Sequence, residues 1–174
     1  MVQYAHETKY QKAYMRFKVF ISSVQREFAA AQDELPRMAV CEAIVNAVCH
    51  RDYESNGAVQ VMLFRDRLEI MNQGTLPRGW TAEALLTTHE SVARNKVIAK
   101  ALDWAGYVER SGHGTEFIIE KCEAQGLATP QYKPDSAIFH TIIWRKTETV
   151  HQVGGVRDKL WGQVRDKTCR FLKG

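Results

Sequence analysis

The stretch EAIVNAVCHRDY, residues 42–53, sets three polar side chains at regular spacing inside an apolar run. Glu42, Asn46 and His50 are four residues apart, so on a helix they form one column along a single side. A carboxylate can position or deprotonate water, an amide oxygen can hold a hydrated cation, and an imidazole can donate to an anion. The column is a candidate functional face. The alternative is an ordinary solvated helix face.

Two glycine-bearing segments, NQGTLP and SGHGTE, could complete such a site. The second contains Gly112 and Gly114, and Thr115 begins the helix predicted after it. Unpaired N–H groups and the dipole at a helix start favour phosphate. Together with the polar column, this pattern indicates nucleotide binding. A plain strand-to-helix turn is the alternative for the second segment.

Length and composition are those of one globular domain. The chain has 174 residues, of which 45% are hydrophobic and 25% charged. A length near the usual 100–200 residues per domain leaves room for one real core. No segment has the length and apolarity of a membrane span or the plan of a signal peptide, so we expect a cytoplasmic protein with no membrane partner.

Charge and cysteine content exclude some functions. The net charge is only +4, and much of the excess lies after Trp144, in a tail that is either solvated or bound to nucleic acid. The four cysteines have no zinc-ligand spacing, so we expect reduced core thiols. The sequence contains no G-x-x-x-x-G-K-[ST] motif, which excludes a helicase motor.

The elements must hold the polar column against the glycine segments. We predict a helix from Arg37, a hairpin from AVQVMLF and LEIM, a short helix in TAEALLTT, and a helix in KVIAKALDWAG. A strand then runs into the SGHG loop, followed by a helix in TEFIIEKCEAQG and a last strand, AIFHTIIW. This order predicts an α+β fold, a two-layer sandwich with helices on one face of a mostly antiparallel mixed sheet. On the first helix we predict a core stripe of Met38, Cys41, Ile44, Val45 and Val48, with the polar column roughly opposite.

Four motifs in order resemble a known family. PRMAVCEAIVNAVCHRDY, DRLEIMNQGTLP, SVARN and GYVERSGHG are similar to the C-terminal ATP-binding region of bacterial RecG-like proteins, described as helicases or transcriptional regulators. That region is a divergent relative of the GHKL ATPase fold shared by gyrase, MutL and histidine kinases. The resemblance spans about residues 35–144. It implies an N-terminal extension at 1–34, the remnant of an upstream domain, an ATP-binding domain at 35–146, and a basic linker or truncated winged helix at 147–174.

The resemblance implies roles for the polar column. Asn46 would hold the Mg²⁺ that bridges the phosphates of ATP, and Glu42 would be the catalytic residue that positions or deprotonates water. His50 and Arg51 lie one turn further on, where a donor could reach phosphate. Either of them could instead pin the helix to Asp52.

The second motif departs from the pattern of the wider GHKL superfamily, although the RecG-like relatives also tend to lack its aspartate. Asn72 stands where an aspartate accepts a hydrogen bond from the adenine amino group, and its amide oxygen could accept the same bond without charge. Gly74 is retained, whereas the next glycine of the pattern is replaced by Thr75 or Leu76. This departure weakens the case for adenine specificity.

The remaining phosphate contacts come from loops. Gly112, Gly114 and Thr115 would let backbone N–H groups approach the phosphates. Residues 75–95 would form the lid, with Ser91, Arg94 and Asn95 as phosphate contacts. The alternative is that Ser91 or Asn95 caps the helix that follows.

The resulting hypothesis is a Mg²⁺-dependent ATP-binding domain of a RecG-like transcriptional regulator, with at most slow hydrolysis. The alternatives are a degenerate ATPase fold kept for protein–protein contact or dimerisation, and a nucleic-acid module that uses the basic tail. DNA binding would need the missing or truncated flanking domains. A homodimer through strand-edge pairing or a swapped N-terminal segment stays open.

Overall fold

The computed structural model describes residues 34–87, 93–104, 106–107 and 113–146. Its helices are α1 (Arg37–His50), a 3₁₀-helix (Glu83–Leu86), α2 (Lys96–Trp104) and α3 (Gly114–Ala124). Its strands are β1 (Gln60–Leu63), β2 (Arg67–Gln73), β3 (Gln131–Pro134) and β4 (Ile138–Trp144). The predictions for residues 1–33 and 147–174, and for the strand leading into the SGHG loop, fall largely or wholly outside this part of the chain.

The strands form one antiparallel sheet in the order β1-β2-β4-β3. The central pair runs in register from Arg67 opposite Trp144 to Gln73 opposite Ile138. Alternate β2 residues, Leu68 and Ile70, are fully buried because that face carries the helices. The predicted α+β sandwich is therefore confirmed.

The first helix is buried on more sides than its pattern predicted. It packs against both β2 and α3, so Ala43, Ala47 and Glu42 are buried as well as Ile44 and Val45. A single core stripe with a polar column opposite is therefore the wrong description. Met38, which we assigned to the core stripe, is 59% exposed, although Leu35 and Ala39 beside it are buried, so its side chain lies on the outer side of the first turn.

The hairpin and the helix ends match the predictions. β1 and β2 pair in register, and the chain turns between Leu63 and Arg67. The short helix is a 3₁₀-helix whose Ala84 N–H donates to the hydroxyl of Thr81 at 3.3 Å. α2 and α3 are followed by glycines with positive φ, Gly106 and Gly126, as is common after helix C-termini.

β3 has no counterpart among the elements predicted from the sequence. Residues 130–134, which begin and end with proline, were assigned no element, yet Gln131–Pro134 pairs with β4. β3 lies at the sheet edge, where a proline's missing N–H need not break a ladder. Only Tyr132 of this strand is buried, so it has no hydrophobic run.

Among the described residues, no helix is long and apolar enough to cross a bilayer.

Candidate functional site

Glu42 and Asn46 face the first residue of α3. A methyl group placed on Gly114 would lie 2.4 Å from Oε1 of Glu42 and 3.0 Å from Nδ2 of Asn46. Any side chain here would displace those polar groups, so the close approach requires glycine. The helix column and the end of the glycine segment, far apart in sequence, therefore meet at one point.

Glu42 is buried, with 6% of the residue exposed. It lies beside the N-terminus of α3, where unpaired N–H groups and the helix dipole favour negative charge. Its field reaches the neighbouring thiols. Burial, and then the Glu42 charge, raise the pKa of Cys49 to about 12 and shift the pKa of Cys41 in the same direction.

The first turn of α3 carries a predicted phosphate contact, the Thr115 hydroxyl. Within the described residues, Oγ1 of Thr115 is buried and has no hydrogen-bond partner. The hydroxyl of Tyr132 donates to the Thr115 carbonyl at 3.4 Å, a long bond. Burial first, then Cys122 and Glu42, raise the pKa of Tyr132, so this phenol stays protonated. Tyr132 is the site neighbour that the sequence analysis did not identify, because β3 was not predicted.

A second group of predicted residues lies at the end of β2. Asn72 is 4% exposed, and its Nδ2 donates to the Gln73 carbonyl at 3.2 Å. A methyl group on Gly74 would lie 2.9 Å from the His50 carbonyl and 3.2 Å from Nδ2 of Asn72. This glycine therefore lets the end of β2 lie against the C-terminus of α1. The N–H of Asp52 donates to the Gln73 carbonyl at 2.7 Å and fixes the same junction.

Arg51 is engaged within its own loop. Its Nε donates to the Gly57 carbonyl at 2.8 Å, and one terminal nitrogen donates to the Ser55 carbonyl at 3.1 Å. The guanidinium also lies over the Tyr53 ring, 4.5 Å from its centroid. The sequence left two roles open for Arg51, a phosphate contact or a bond that holds the helix to Asp52. The observed contacts are structural, but their acceptors are backbone carbonyls and not Asp52.

Arg94 and Asn95 adjoin the same junction. Arg94 lies 3.5 Å from the Asp52 carboxylate and donates weakly, at 3.4 Å, to the Thr75 hydroxyl. The amide group of Asn95 donates to the Cys49 carbonyl at 2.9 Å and to the Arg51 carbonyl at 2.7 Å. Asn95 thus caps the end of α1, whereas the sequence alternative had it capping the helix that follows.

The predicted residues therefore form two groups joined by α1. One contains Glu42, Asn46, Gly114 and Thr115. The other contains His50, Arg51, Asn72, Gly74, Arg94 and Asn95. Ser91 and Gly112 lie outside the described residues, so their predicted contacts stay predictions. Glu42 and His50 are eight residues apart on the helix, which corresponds to about 12 Å along its axis.

The donor chemistry fits Mg²⁺ held together with phosphate. In the described part of the chain, no cluster of three or more His, Cys, Asp or Glu could enclose a metal ion. Mg²⁺ rarely uses an all-protein cage and usually combines one or two protein oxygens with phosphates and water. Asn46 supplies such an oxygen, and the unpartnered Thr115 hydroxyl lies in the turn that begins at Gly114.

The antiparallel sheet and the helices packed on it define a two-layer α+β domain. The chain belongs to the family described as "Putative ATP-dependent DNA helicase recG C-terminal", whose sequence model matches residues 56–143. This membership supports an ATP-binding domain. The match begins after Glu42 and Asn46, so their roles rest on the resemblance and the geometry.

A solved structure has a similar fold. The DIP2311 protein from Corynebacterium diphtheriae superposes with a TM-score of 0.60 at 25% sequence identity. The alignment covers 68% of this chain and 26% of the DIP2311 chain, so the present sequence spans about a quarter of that protein. Among curated proteins, none has a significantly similar sequence.

Proposed function

We propose that this chain is a Mg²⁺-dependent ATP-binding domain that acts as the ligand-sensing switch of a RecG-like transcriptional regulator. Asn46 holds the metal, Glu42 is the catalytic residue, and the start of α3 binds the phosphates. DNA contact belongs to flanking domains, and a homodimer is compatible with the proposal. The observation that carries it is the close approach of Glu42 and Asn46 to Gly114.

The start of α3 is suited to an anion. Gly114 has no side chain to block the approach, and the helix dipole favours phosphate at this end. Gly114 and Thr115 would receive phosphate oxygens through their backbone N–H groups, and the free Thr115 hydroxyl would add one donor. Gly112 and Ser91 are proposed to extend this cradle.

Mg²⁺, when bound, would neutralise phosphate charge and orient the terminal phosphate. Asn46 would contribute its amide oxygen and remain neutral. Glu42 is one turn earlier on the same face and would orient a water molecule toward that phosphate. We expect at most slow hydrolysis, because a switch domain must stay in its bound state long enough to signal.

The junction at the end of β2 would receive the base. Asn72 uses its amide nitrogen on the Gln73 carbonyl, which leaves Oδ1 as the atom able to accept a hydrogen bond from the adenine amino group. His50, Arg51 and Arg94 are proposed to lie near the nucleotide between the two groups. The side chain of Arg94 is 40% exposed.

Calorimetric titration of the full chain with ATP, with and without Mg²⁺, tests the proposal. ATP affinity is expected to be much higher with the metal than without it, and Asn46→Ala should leave only the weaker, metal-independent binding. Lys96→Ala, an exposed residue outside both groups, is the matched control. The absence of binding heat at millimolar ATP in the presence of Mg²⁺ would refute the proposal.

Glu42→Gln separates binding from hydrolysis. The amide keeps the size of the side chain beside Gly114 but cannot take a proton from water. Phosphate release should fall to the background rate while ATP affinity stays within a few-fold. Hydrolysis that survives this change assigns the water to another group.

A second function is supported by Asn72. A neutral amide stands where the wider GHKL superfamily has an aspartate, and it is already bonded to its own strand, as expected of a degenerate fold kept for protein–protein contact or dimerisation. That function predicts no nucleotide binding and a concentration-dependent change of mass in sedimentation.

A further inference from the structure

The carbonyl end of α1 is capped from outside the helix. The last carbonyls of a helix have no partner within it. Here the Val48 carbonyl accepts the Tyr53 hydroxyl at 3.2 Å, and the Cys49 carbonyl accepts the backbone N–H of Asn95 at 3.0 Å. The Asn95 side chain adds bonds to Cys49 and Arg51. The end of α1 therefore depends on a residue 44 positions beyond Arg51.

Asn95 has no donor left for a phosphate. Both partners of its side chain are carbonyl oxygens, so the atom between them must be the NH₂ group, and its two hydrogens are both used. Its backbone N–H is used as well. The remaining amide oxygen can only accept, and it would repel a phosphate oxygen.

We propose that Asn95 is a positioning residue that fixes the last turn of α1, and thereby sets the alignment of Glu42 and Asn46, instead of contacting the nucleotide. The part concerning alignment rests on the proposed function. Residues that hold a ligating side chain in place often affect metal affinity about 10- to 100-fold without touching the metal. Asn95 acts in the same way on a whole helix turn, because its bonds restrain the backbone that carries the column.

The position of Asn95 also connects α1 to the segment before α2. The Asn95 carbonyl accepts the N–H of Ala99 at 2.9 Å, so the residue starts one helix and caps another. A displacement of the start of α2 would therefore also displace the end of α1.

Hydrogen exchange tests the capping without nucleotide. In the full chain, Asn95→Ala and Asn95→Asp should both accelerate exchange of amides 49–53 relative to the wild type, because neither side chain can donate to the two carbonyls. Lys96→Ala, exposed and one residue away, should leave exchange unchanged. Unchanged protection in both Asn95 variants would overturn the capping role.

A double-mutant cycle tests the positioning role. Asn95→Ala should weaken Mg²⁺-dependent ATP binding about 10-fold. In the Asn46→Ala background it should cause no further loss, because the misplaced group is then already absent. Additive losses would mean direct contact with ATP, and unchanged affinity would mean no influence on the site. Either result overturns the proposal.

The two hypotheses fail differently. If the wild-type chain binds no ATP while exchange still accelerates in the Asn95 variants, the proposed function fails and the capping of α1 stands. If Asn95→Ala does not fold, Asn95→Ser keeps one hydroxyl donor and should give an intermediate exchange rate. A serine variant that exchanges at the wild-type rate would show that the second bond is unnecessary and overturn the two-carbonyl cap.

Discussion

At the scale of single residues, Gly114 is a position where helix propensity favours alanine but the candidate site requires glycine. Its φ is not positive, so alanine is compatible with the backbone and would favour α3 by about 1 kcal/mol. The added methyl would meet Oε1 of Glu42 and Nδ2 of Asn46. The substitution would therefore displace the two side chains of the proposed site and would affect the stability of the fold less.

Gly114→Ala should therefore separate stability from binding. We expect the free energy of unfolding to change by no more than about 2 kcal/mol, since the gain in propensity offsets part of the crowding. Mg²⁺-dependent ATP affinity should fall at least about 10-fold, because Asn46 is displaced. Denaturant titration and calorimetry on one sample measure both, and unchanged ATP affinity would contradict the assigned site.

Asn72→Asp should destabilise the protein without ligand but strengthen its stabilisation by ATP. The new carboxylate would replace the donor to the Gln73 carbonyl in a position that is 4% exposed. Loss of this buried bond should cost about 1–3 kcal/mol without ligand. A charged acceptor strengthens the bond to an adenine amino group, so the rise in melting temperature with ATP should be larger than in the wild type. GTP, which has no 6-amino group, is the control, and an equal rise with both nucleotides would place the base elsewhere.

At the scale of elements, the sequence was sufficient where patterns are local. The hairpin, the glycine-terminated helices and β4 follow from alternation and caps. The sequence was insufficient for β3, because this segment is a strand through its pairing with β4 and its own residues show no strand pattern. It was also insufficient for α1, because a helix between a sheet and a second helix is buried on several sides, and no residue of α1 encodes the position of α3.

The candidate site divides in the same way. Glu42 and Asn46 were identifiable because the column is a local spacing, and Gly114 because a glycine before a helix is a local signal. The contact of Asn95 with the end of α1 joins distant segments, so spacing alone could not predict it. The same holds for Tyr132.

Arg145, which follows β4, connects that strand to the start of α1 and to the end of β1, so its removal should destabilise the whole domain. Its guanidinium binds the carboxylate of Glu34 ahead of α1 and the Phe64 carbonyl after β1, the latter at 2.6 Å. Its side chain is 10% exposed. Arg145→Ala should lower the free energy of unfolding by about 2 kcal/mol, because partly buried acceptors lose their donor. Denaturant titration measures the change.

Arg67→Ala is the matched control for this prediction. Arg67 pairs with Asp66 and Glu69, which lie in or beside its own hairpin, and it joins no distant elements. Its removal should have a clearly smaller effect on unfolding than that of Arg145. Equal effects of the two variants would show that the long-range connection is unimportant.

At the scale of the whole molecule, the buried thiols and phenols predict loss of stability in alkali. Burial raises the pKa of Cys49 to about 12 and that of Cys122 to about 11, from an ordinary value of 9.0. Burial also raises the pKa of Tyr53 and of Tyr132. The unfolded chain therefore loses protons first, so the stability these groups contribute is complete below about pH 9 and is lost as pH rises toward the folded values.

Thermal melts across this range should show a steady melting temperature up to about pH 9 and a decline above it. Cys49→Ala should reduce the steepness of that decline, although its melting temperature near neutral pH should be somewhat lower because a core group is lost. An equal slope in both proteins would mean that the thiol is not protonated and buried as described.

The central position of β4 in the sheet also determines which truncated chains are prone to aggregate. Without residues 138–144, all seven residues of β2 would lose their partner strand, leaving a row of free N–H and C=O groups beside Leu68 and Ile70. Such an unsatisfied apolar edge is a template for self-association. Nascent or clipped chains that end short of β4 should therefore aggregate, so chaperone protection matters most until β4 has emerged from the ribosome.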